Sequence, residues 1–92
     1  RLRLENGGPG AARSLLKARE SLDDGDFEGA SRAARAAIAD RPEWGLAHAT
    51  LAEALNASRG RGAVDAAQRA TELNPELVEA WRELGDAYLE MR

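Results

Sequence analysis

The chain repeats itself at an interval of 33 residues, and this period restricts its fold more than any other feature of the sequence. The two prolines Pro42 and Pro75 are separated by this interval. Six further pairs have the same separation, namely Ala30/Ala63, Ala34/Ala67, Ala37/Ala70, Leu51/Leu84, Ala52/Gly85 and Leu55/Tyr88. Ala18 and Ala52 are separated by 34 residues. Self-similarity at this period is typical of arrays whose repeating unit is a pair of helices.

Apolar residues recur at spacings of three and four along most of the chain, which predicts amphipathic helices. Asp26 is expected to cap the second helix, and Pro42 and Pro75 are expected to occupy the first turns of the third and fifth. The cluster from Asn6 to Gly10 contains three glycines and a proline and is expected to break helical structure. The expected helices are residues 11–22, 26–40, 42–55, 63–73 and 74–92, after a linker or the end of a preceding segment in residues 1–10.

The most specific motif lies in the last predicted helix. Asn74 is expected to cap this helix, and Leu77, Trp81, Leu84 and Tyr88 then form one apolar stripe. Gly85 lies on the stripe, where its lack of a side chain would let another helix approach. The order Trp81, Leu84, Gly85, Tyr88 resembles the W-x2-L-G-x2-Y signature of tetratricopeptide repeats.

This resemblance implies an all-α fold, a right-handed α-solenoid of antiparallel helix pairs with about five helices. It covers residues 11–92 as two units, about 11–43 and 44–76, and an incomplete third unit, 77–92. The second unit has a turn one residue shorter than the first, and it has glycines near the place of the aromatic Phe27. The residues assigned to the repeat pattern are Ala18, Phe27, Ala30, Ala37, Pro42, Leu51, Ala52, Ala63, Ala70, Pro75, Trp81, Leu84, Gly85 and Tyr88.

The resemblance also implies a function, because the first helices of tetratricopeptide units line a concave groove that holds a partner peptide or helix. The corresponding residues here are Leu15, Arg19, Leu22, Ala49, Thr50, Glu53, Glu79, Arg82, Glu83 and Asp86, with Ala12, Leu16, Leu46, Asn56 and Glu90 beside them. This groove would run from an apolar end to an acidic end. Glu79 and Glu83 would repel a terminal carboxylate, so the expected partner segment combines apolar residues with Arg or Lys. A merely solvated acidic surface is the alternative.

The end of the repeat suggests a second function. Trp81, Leu84 and Tyr88 would normally be shared with a following helix, and Tyr88, Leu89 and Met91 make this end less polar than a solenoid cap. Either the last helix caps the array with one apolar edge exposed, or another copy of the chain or the rest of a longer protein covers it. Self-association through this helix is therefore the alternative to a partner-binding module.

Composition and charge argue against other classes of function. The net charge of −3 and pI of about 5.1 disfavour general nucleic-acid binding, and the absence of cysteine excludes thiolate chemistry. His48 is expected to pack, and the acidic run from Asp23 to Glu28 suits a helix end and an N-cap better than a calcium loop. We therefore expect no enzyme activity, cofactor or metal.

The sequence also bears on the setting in which the chain works. Lys17 is the only lysine among 13 basic residues, a bias typical of GC-rich bacterial genes. No stretch is apolar enough to cross a membrane. We expect the chain to be part of a larger bacterial scaffold. It would lie in the cytoplasm, or in the periplasm or at a membrane if an upstream segment anchors it.

Overall fold

The protein is all-α, with five helices and no strand among residues 8–91, which are the residues that the computed structural model describes. In chain order the helices are α1 (Gly8–Asp24), α2 (Phe27–Asp40), α3 (Gly45–Ser58), α4 (Ala63–Leu73) and α5 (Val78–Glu90). The predicted fold class and the number of helices are confirmed, and the arrangement is that of a helical repeat. The right-handed sense of the solenoid stays a prediction.

The helices form two layers. Each helix packs against the next, and α3 also contacts both α1 and α5, whereas between residues 27 and 73 no Cα atom of α2 lies within 8 Å of α4. Loops of two to four residues join successive helices, so that neighbours run antiparallel. Helices α1, α3 and α5 are therefore closer together than α2 and α4, and the layer α1/α3/α5 is the inner, concave side.

The repeat is visible in backbone geometry at the two prolines. Arg41 and Asn74, which end α2 and α4, have nearly the same dihedral angles, φ −144° and ψ 78° against φ −143° and ψ 82°. The expectation that Pro42 and Pro75 begin helices is wrong, because both lie in the turns that follow. A proline excludes the residue before it from the α region, which ends each preceding helix.

The fifth helix consequently begins later than expected. Its N-cap position is Leu77, and the predicted cap Asn74 instead ends α4, with its side-chain Oδ1 accepting from the backbone N–H of Glu76 at 3.3 Å. By contrast, Asp26 caps α2 as predicted, because its Oδ1 accepts from Gly29 N–H at 3.0 Å. An Asn before a proline is thus used in a turn here and not as a helix cap.

A side-chain hydrogen bond also recurs at the 33-residue interval. Trp81 donates its Nε1–H to the carbonyl oxygen of Pro75 at 2.8 Å, and His48 Nε2 lies 2.8 Å from the carbonyl oxygen of Pro42. Because a carbonyl oxygen only accepts, His48 Nε2 carries the proton in this contact. Histidine and tryptophan therefore perform the same local task in successive units.

The first helix begins earlier than expected. It starts at Gly8, so the predicted breaker cluster lies partly within its first turn. Proline is tolerated there, because the N–H that it lacks would have no partner within the helix. The remainder of the proposed linker, residues 1–7, lies outside the described residues.

The core is built from alanine. Eleven alanines between residues 10 and 91 are completely buried, whereas no large side chain in that range is; they are Ala11, Ala18, Ala30, Ala34, Ala37, Ala47, Ala52, Ala54, Ala67, Ala70 and Ala80. Leu51, Leu55 and Ala63 belong to the main core cluster, and Phe27 and Leu84 are partly buried. Because small side chains let the helices approach closely, there is little space at each contact for a larger side chain.

Ala34→Leu should lower the melting temperature by about 5 °C or more, because overpacking a close helix contact costs about 1–3 kcal/mol. The matched control is Ala36→Leu in the same helix, where the alanine is exposed. Leucine and alanine have similar helix propensities, so the control should melt within a few degrees of the wild type. Thermal unfolding followed by circular dichroism measures both, and equal melting temperatures for the two variants would contradict the helix packing described here.

Candidate functional site

A groove runs along the inner layer and is formed by helices α1, α3 and α5. Its apolar half is a cavity of about 400 Å³, and its acidic half is a cavity of about 320 Å³. The apolar half is lined by Ala12, Leu15, Leu16, Arg19, Trp44, Leu46, Thr50 and Glu79, and the acidic half by Glu53, Asn56, Ala57, Glu83, Asp86, Leu89 and Glu90. We call these together the inner groove.

The apolar half combines exposed and anchored side chains. Leu16 is 60% exposed, whereas Leu15 is buried against the core cluster. Trp44 is held by the guanidinium of Arg41, whose Cζ lies 4.8 Å from the ring centroid, a cation–π contact. Sequence reasoning assigned Trp44 to a helix and missed it as a groove residue; its position 33 residues before Leu77, at the start of an inner helix, was the available signal.

An ion pair joins the two halves of the inner groove. Arg19 Nη2 lies 2.9 Å from Glu53 Oε1, and Nη1 lies 3.4 Å from Oε2, a bidentate geometry. The two residues are 34 positions apart and so occupy equivalent places in neighbouring units. The hydrogen bond to Glu53 raises the pKa of Arg19. A partner carboxylate would therefore have to compete with Glu53 for this guanidinium.

Glu83 was expected to be an exposed groove carboxylate, but it is only 5% exposed. Asn56 Nδ2 donates to Glu83 Oε1 and to the Glu83 backbone oxygen, both at 2.9 Å, and thereby links α3 to α5. Burial raises the pKa of Glu83, the bond from Asn56 opposes this, and the charges of Glu53 and Asp86 add to the rise. Glu83 is therefore chiefly a structural contact at the floor of the acidic half.

Three other residues assigned to the groove lie elsewhere. Ala49 is buried against Ala70 and Ala80, on the side of α3 that faces the next unit. Arg82 occupies the corresponding position on α5 and is exposed there, and Leu22 lines neither half of the groove. The common reason is that too many positions of each helix were assigned to the groove. Adjacent side chains on a helix point in different directions, so only some of them can face it.

Thr50, Arg19, Leu15 and Glu79 do line the apolar half, and Glu53 and Asp86 line the acidic half. Thr50 is almost fully buried, and its Oγ1 donates to the carbonyl oxygen of Leu46 at 2.8 Å. The hydroxyl proton is thus already used within α3. The groove consequently presents leucine side chains at one end and carboxylates at the other.

Another cavity, of about 540 Å³, lies outside the inner groove. It is enclosed by the turn between α3 and α4 and by the end of α5, with Leu55, Val64 and Met91 among its apolar walls. In the first unit the corresponding turn leads into the partly buried ring of Phe27, whereas here it contains Gly60 and Gly62. The expected shorter turn in the second unit is not found, because four residues join α3 to α4 whereas two join α1 to α2. The lack of an aromatic residue in this turn accounts for the open space.

Between residues 8 and 91 there is no group of three or more His, Cys, Asp or Glu residues placed to hold a metal ion. None of the five described helices is both long enough and apolar enough to cross a bilayer.

Comparison with protein-family models and with curated proteins found nothing that matches this chain. The likeness to tetratricopeptide repeats consequently depends on the residues and geometry described above.

The free energy of unfolding of Glu83→Gln, relative to that of the wild type, should increase as the pH rises. A raised carboxyl pKa in the folded state means that the wild type loses stability as the pH climbs from the unfolded value, about 4.3, through the folded value. Glutamine keeps an acceptor for Asn56 and has no charge to bury. Thermal unfolding between acidic and mildly basic pH measures the difference.

The control for this experiment is Glu76→Gln, which removes an exposed carboxylate from the turn before α5. This variant leaves Glu83 in place and should retain the pH dependence of the wild type. If Glu83→Gln instead lost stability progressively at higher pH, the ionised carboxylate would be a net stabilising group, and the account of its burial would be wrong.

Proposed function

We propose that this protein is a non-catalytic protein–protein interaction module of the tetratricopeptide-repeat type that binds a partner segment in the inner groove. The observation that carries the proposal is an apolar cavity and an acidic cavity on three helices of the same layer, linked by the ion pair of Arg19 and Glu53. The 33-residue repeat supports the same class of fold, in sequence and in turn geometry. We place the module in a larger bacterial scaffold or assembly.

The two halves define the chemistry of the partner. Leu16, Leu46 and Trp44 offer apolar surface to a helix or extended peptide. Asp86 and Glu90 are exposed carboxylates at the other end, and Glu53 is already paired with Arg19. A segment with an apolar stretch followed by Arg or Lys residues would match both halves in order. Electrostatic complementarity of this kind supplies specificity and faster association.

Two synthetic peptides test this proposal. One carries a leucine-rich half followed by an arginine-rich half, and the other has glutamate in place of each arginine. We expect the first to bind more tightly in fluorescence anisotropy at low ionic strength, because exposed charges are weakly screened there. Equal binding of both peptides would show that the groove does not distinguish basic from acidic peptides. The acidic half would then be only a solvated surface.

The double variant Glu79→Lys/Asp86→Lys should weaken binding of the arginine peptide by about tenfold, which corresponds to about 1.4 kcal/mol. Both residues are exposed on α5 and line opposite halves of the groove. The matched control is Glu72→Lys/Glu76→Lys, which changes the net charge equally at exposed positions that line neither half. An equal loss in both variants would show an effect of overall charge and not of the groove.

A further inference from the structure

One side of α5 presents most of the exposed large apolar side chains in the described chain. Trp81 is 51% exposed and Leu89 61% exposed, and Val78, Tyr88 and Met91 are exposed with them. Between residues 10 and 91 only Leu16, in the inner groove, shares this property. Spacings of three and four place Val78, Trp81, Tyr88 and Leu89 on one helical face. We call this surface, with Arg82 and Gly85 at its centre, the open face of α5. Met91 follows the end of α5 and lines the cavity beside the turn between α3 and α4.

The repeat shows what such a face does elsewhere in the molecule. Gly45, Ala49, Ala52 and Asn56 are the residues 33 positions before Val78, Arg82, Gly85 and Leu89. A side chain at Gly45 would meet α4, Ala49 packs on α4 and α5, Ala52 is fully buried, and Asn56 bonds to Glu83. In α3 this side is therefore an interface with the following helices.

Arg82 makes the open face unsuited to another helix pair stacked in the same register. The two residues at equivalent positions, Leu15 and Ala49, are buried by the unit that follows each. The same burial would take the guanidinium of Arg82 out of water, and its described ion pair is only a long one, 3.7 Å, to the adjacent Glu83. Burying a charge without a good partner is strongly unfavourable.

The residues of the open face are arranged symmetrically about Gly85. Trp81 precedes it by four residues and Leu89 follows it by four, while Arg82 precedes it by three and Tyr88 follows it by three. A Cβ atom added at Gly85 would meet nothing within 4 Å, so the backbone is accessible at the centre. This pattern is self-complementary, as a two-fold interface requires.

We propose that the open face of α5 binds the same face of a second copy, with the two helices antiparallel and crossing at Gly85. Trp81 then packs on Leu89 of the second copy, and Arg82 lies over the ring of Tyr88 of the second copy, a cation–π contact. Each contact occurs twice. The absence of a side chain at Gly85 lets the two backbones approach closely at the crossing.

The size of the surface suits this occupant. A buried aromatic side chain contributes about 150–250 Å², so the half-exposed Trp81 and Tyr88 together leave about 200 Å² on this face. Val78 and Leu89 extend it to several hundred Å², the size of the largest apolar patch on a typical monomer. A stable dimer usually buries about 800 Å² per partner, and the polar flanks of α5 supply the remainder.

Sedimentation equilibrium of the 92-residue chain from micromolar to millimolar concentration tests the proposal. We expect the mass to rise from that of a 9.9 kDa monomer to twice that value. Leu89→Glu should weaken the dimer at least tenfold, because it places a carboxylate against Trp81 of the second copy. Leu16→Glu changes a leucine of almost the same exposure on α1 and should dimerise like the wild type.

Gly85→Gln separates loss of the dimer from loss of the fold. Glutamine is a better helix former than glycine, and a Cβ at position 85 meets no atom of the monomer within 4 Å, so the variant should melt at a higher temperature. Its side chain blocks the crossing point and should weaken the dimer at least tenfold. A monomer at all concentrations would overturn the proposal, as would a dimer that survives both α5 substitutions or is lost in Leu16→Glu. None of these outcomes depends on peptide binding in the inner groove.

Discussion

The close approach of helices through alanine is the contact on which the rest of the structure depends. In successive units Ala18, Ala52 and Gly85 keep the same position small, and Ala37 and Ala70 do so on the partner helices. With so little side-chain volume between them, the helix axes are fixed by backbone and Cβ contacts more than by large side chains. The inner layer is therefore narrow and can present a groove. Because a domain of this size buries little apolar surface, its free energy of unfolding is small.

The turns before the inner helices set the position of each unit relative to the next. A residue before proline is kept out of the helical region, so Arg41 and Asn74 adopt matching non-helical conformations and the chain reverses in the same way twice. The carbonyl of each proline then accepts a bond from the inner helix that follows, from His48 in one unit and Trp81 in the other. The two side chains differ in size but both place a ring N–H at the same point. What the repeat preserves is therefore a donor position and a turn, not a residue type.

Periodicity predicted the helices, because they follow from positions one repeat apart, whereas the groove residues were assigned from the resemblance to tetratricopeptide repeats. It could not predict that Glu83 is buried, since its partner Asn56 lies 27 residues away and outside the repeat register. Helix starts were misplaced because the proline was taken to begin a helix, whereas its steric effect on the preceding residue ends one. Arg82 was assigned to the groove from its register with Ala49, and Ala49 itself is turned toward the next unit. Which of two adjacent helix positions faces a groove depends on rotation about the helix axis, and this is set by packing.

The inner groove and the open face meet on α5, and this shared helix links the proposed function to the proposed dimer. Leu89 belongs to both surfaces, and Asp86, on the same helix, lines the acidic half of the groove. Two α5 helices crossing at Gly85 would bring the acidic halves of two grooves close together. Their mutual repulsion opposes the apolar contact and is screened by salt. A basic partner segment that neutralises these carboxylates would remove that repulsion and so strengthen the dimer. Because coupling is reciprocal, dimerisation would strengthen binding of the segment by the same free energy. Two adjoining grooves would also hold a partner with two basic segments far more tightly than either groove alone, because the second binding event becomes intramolecular.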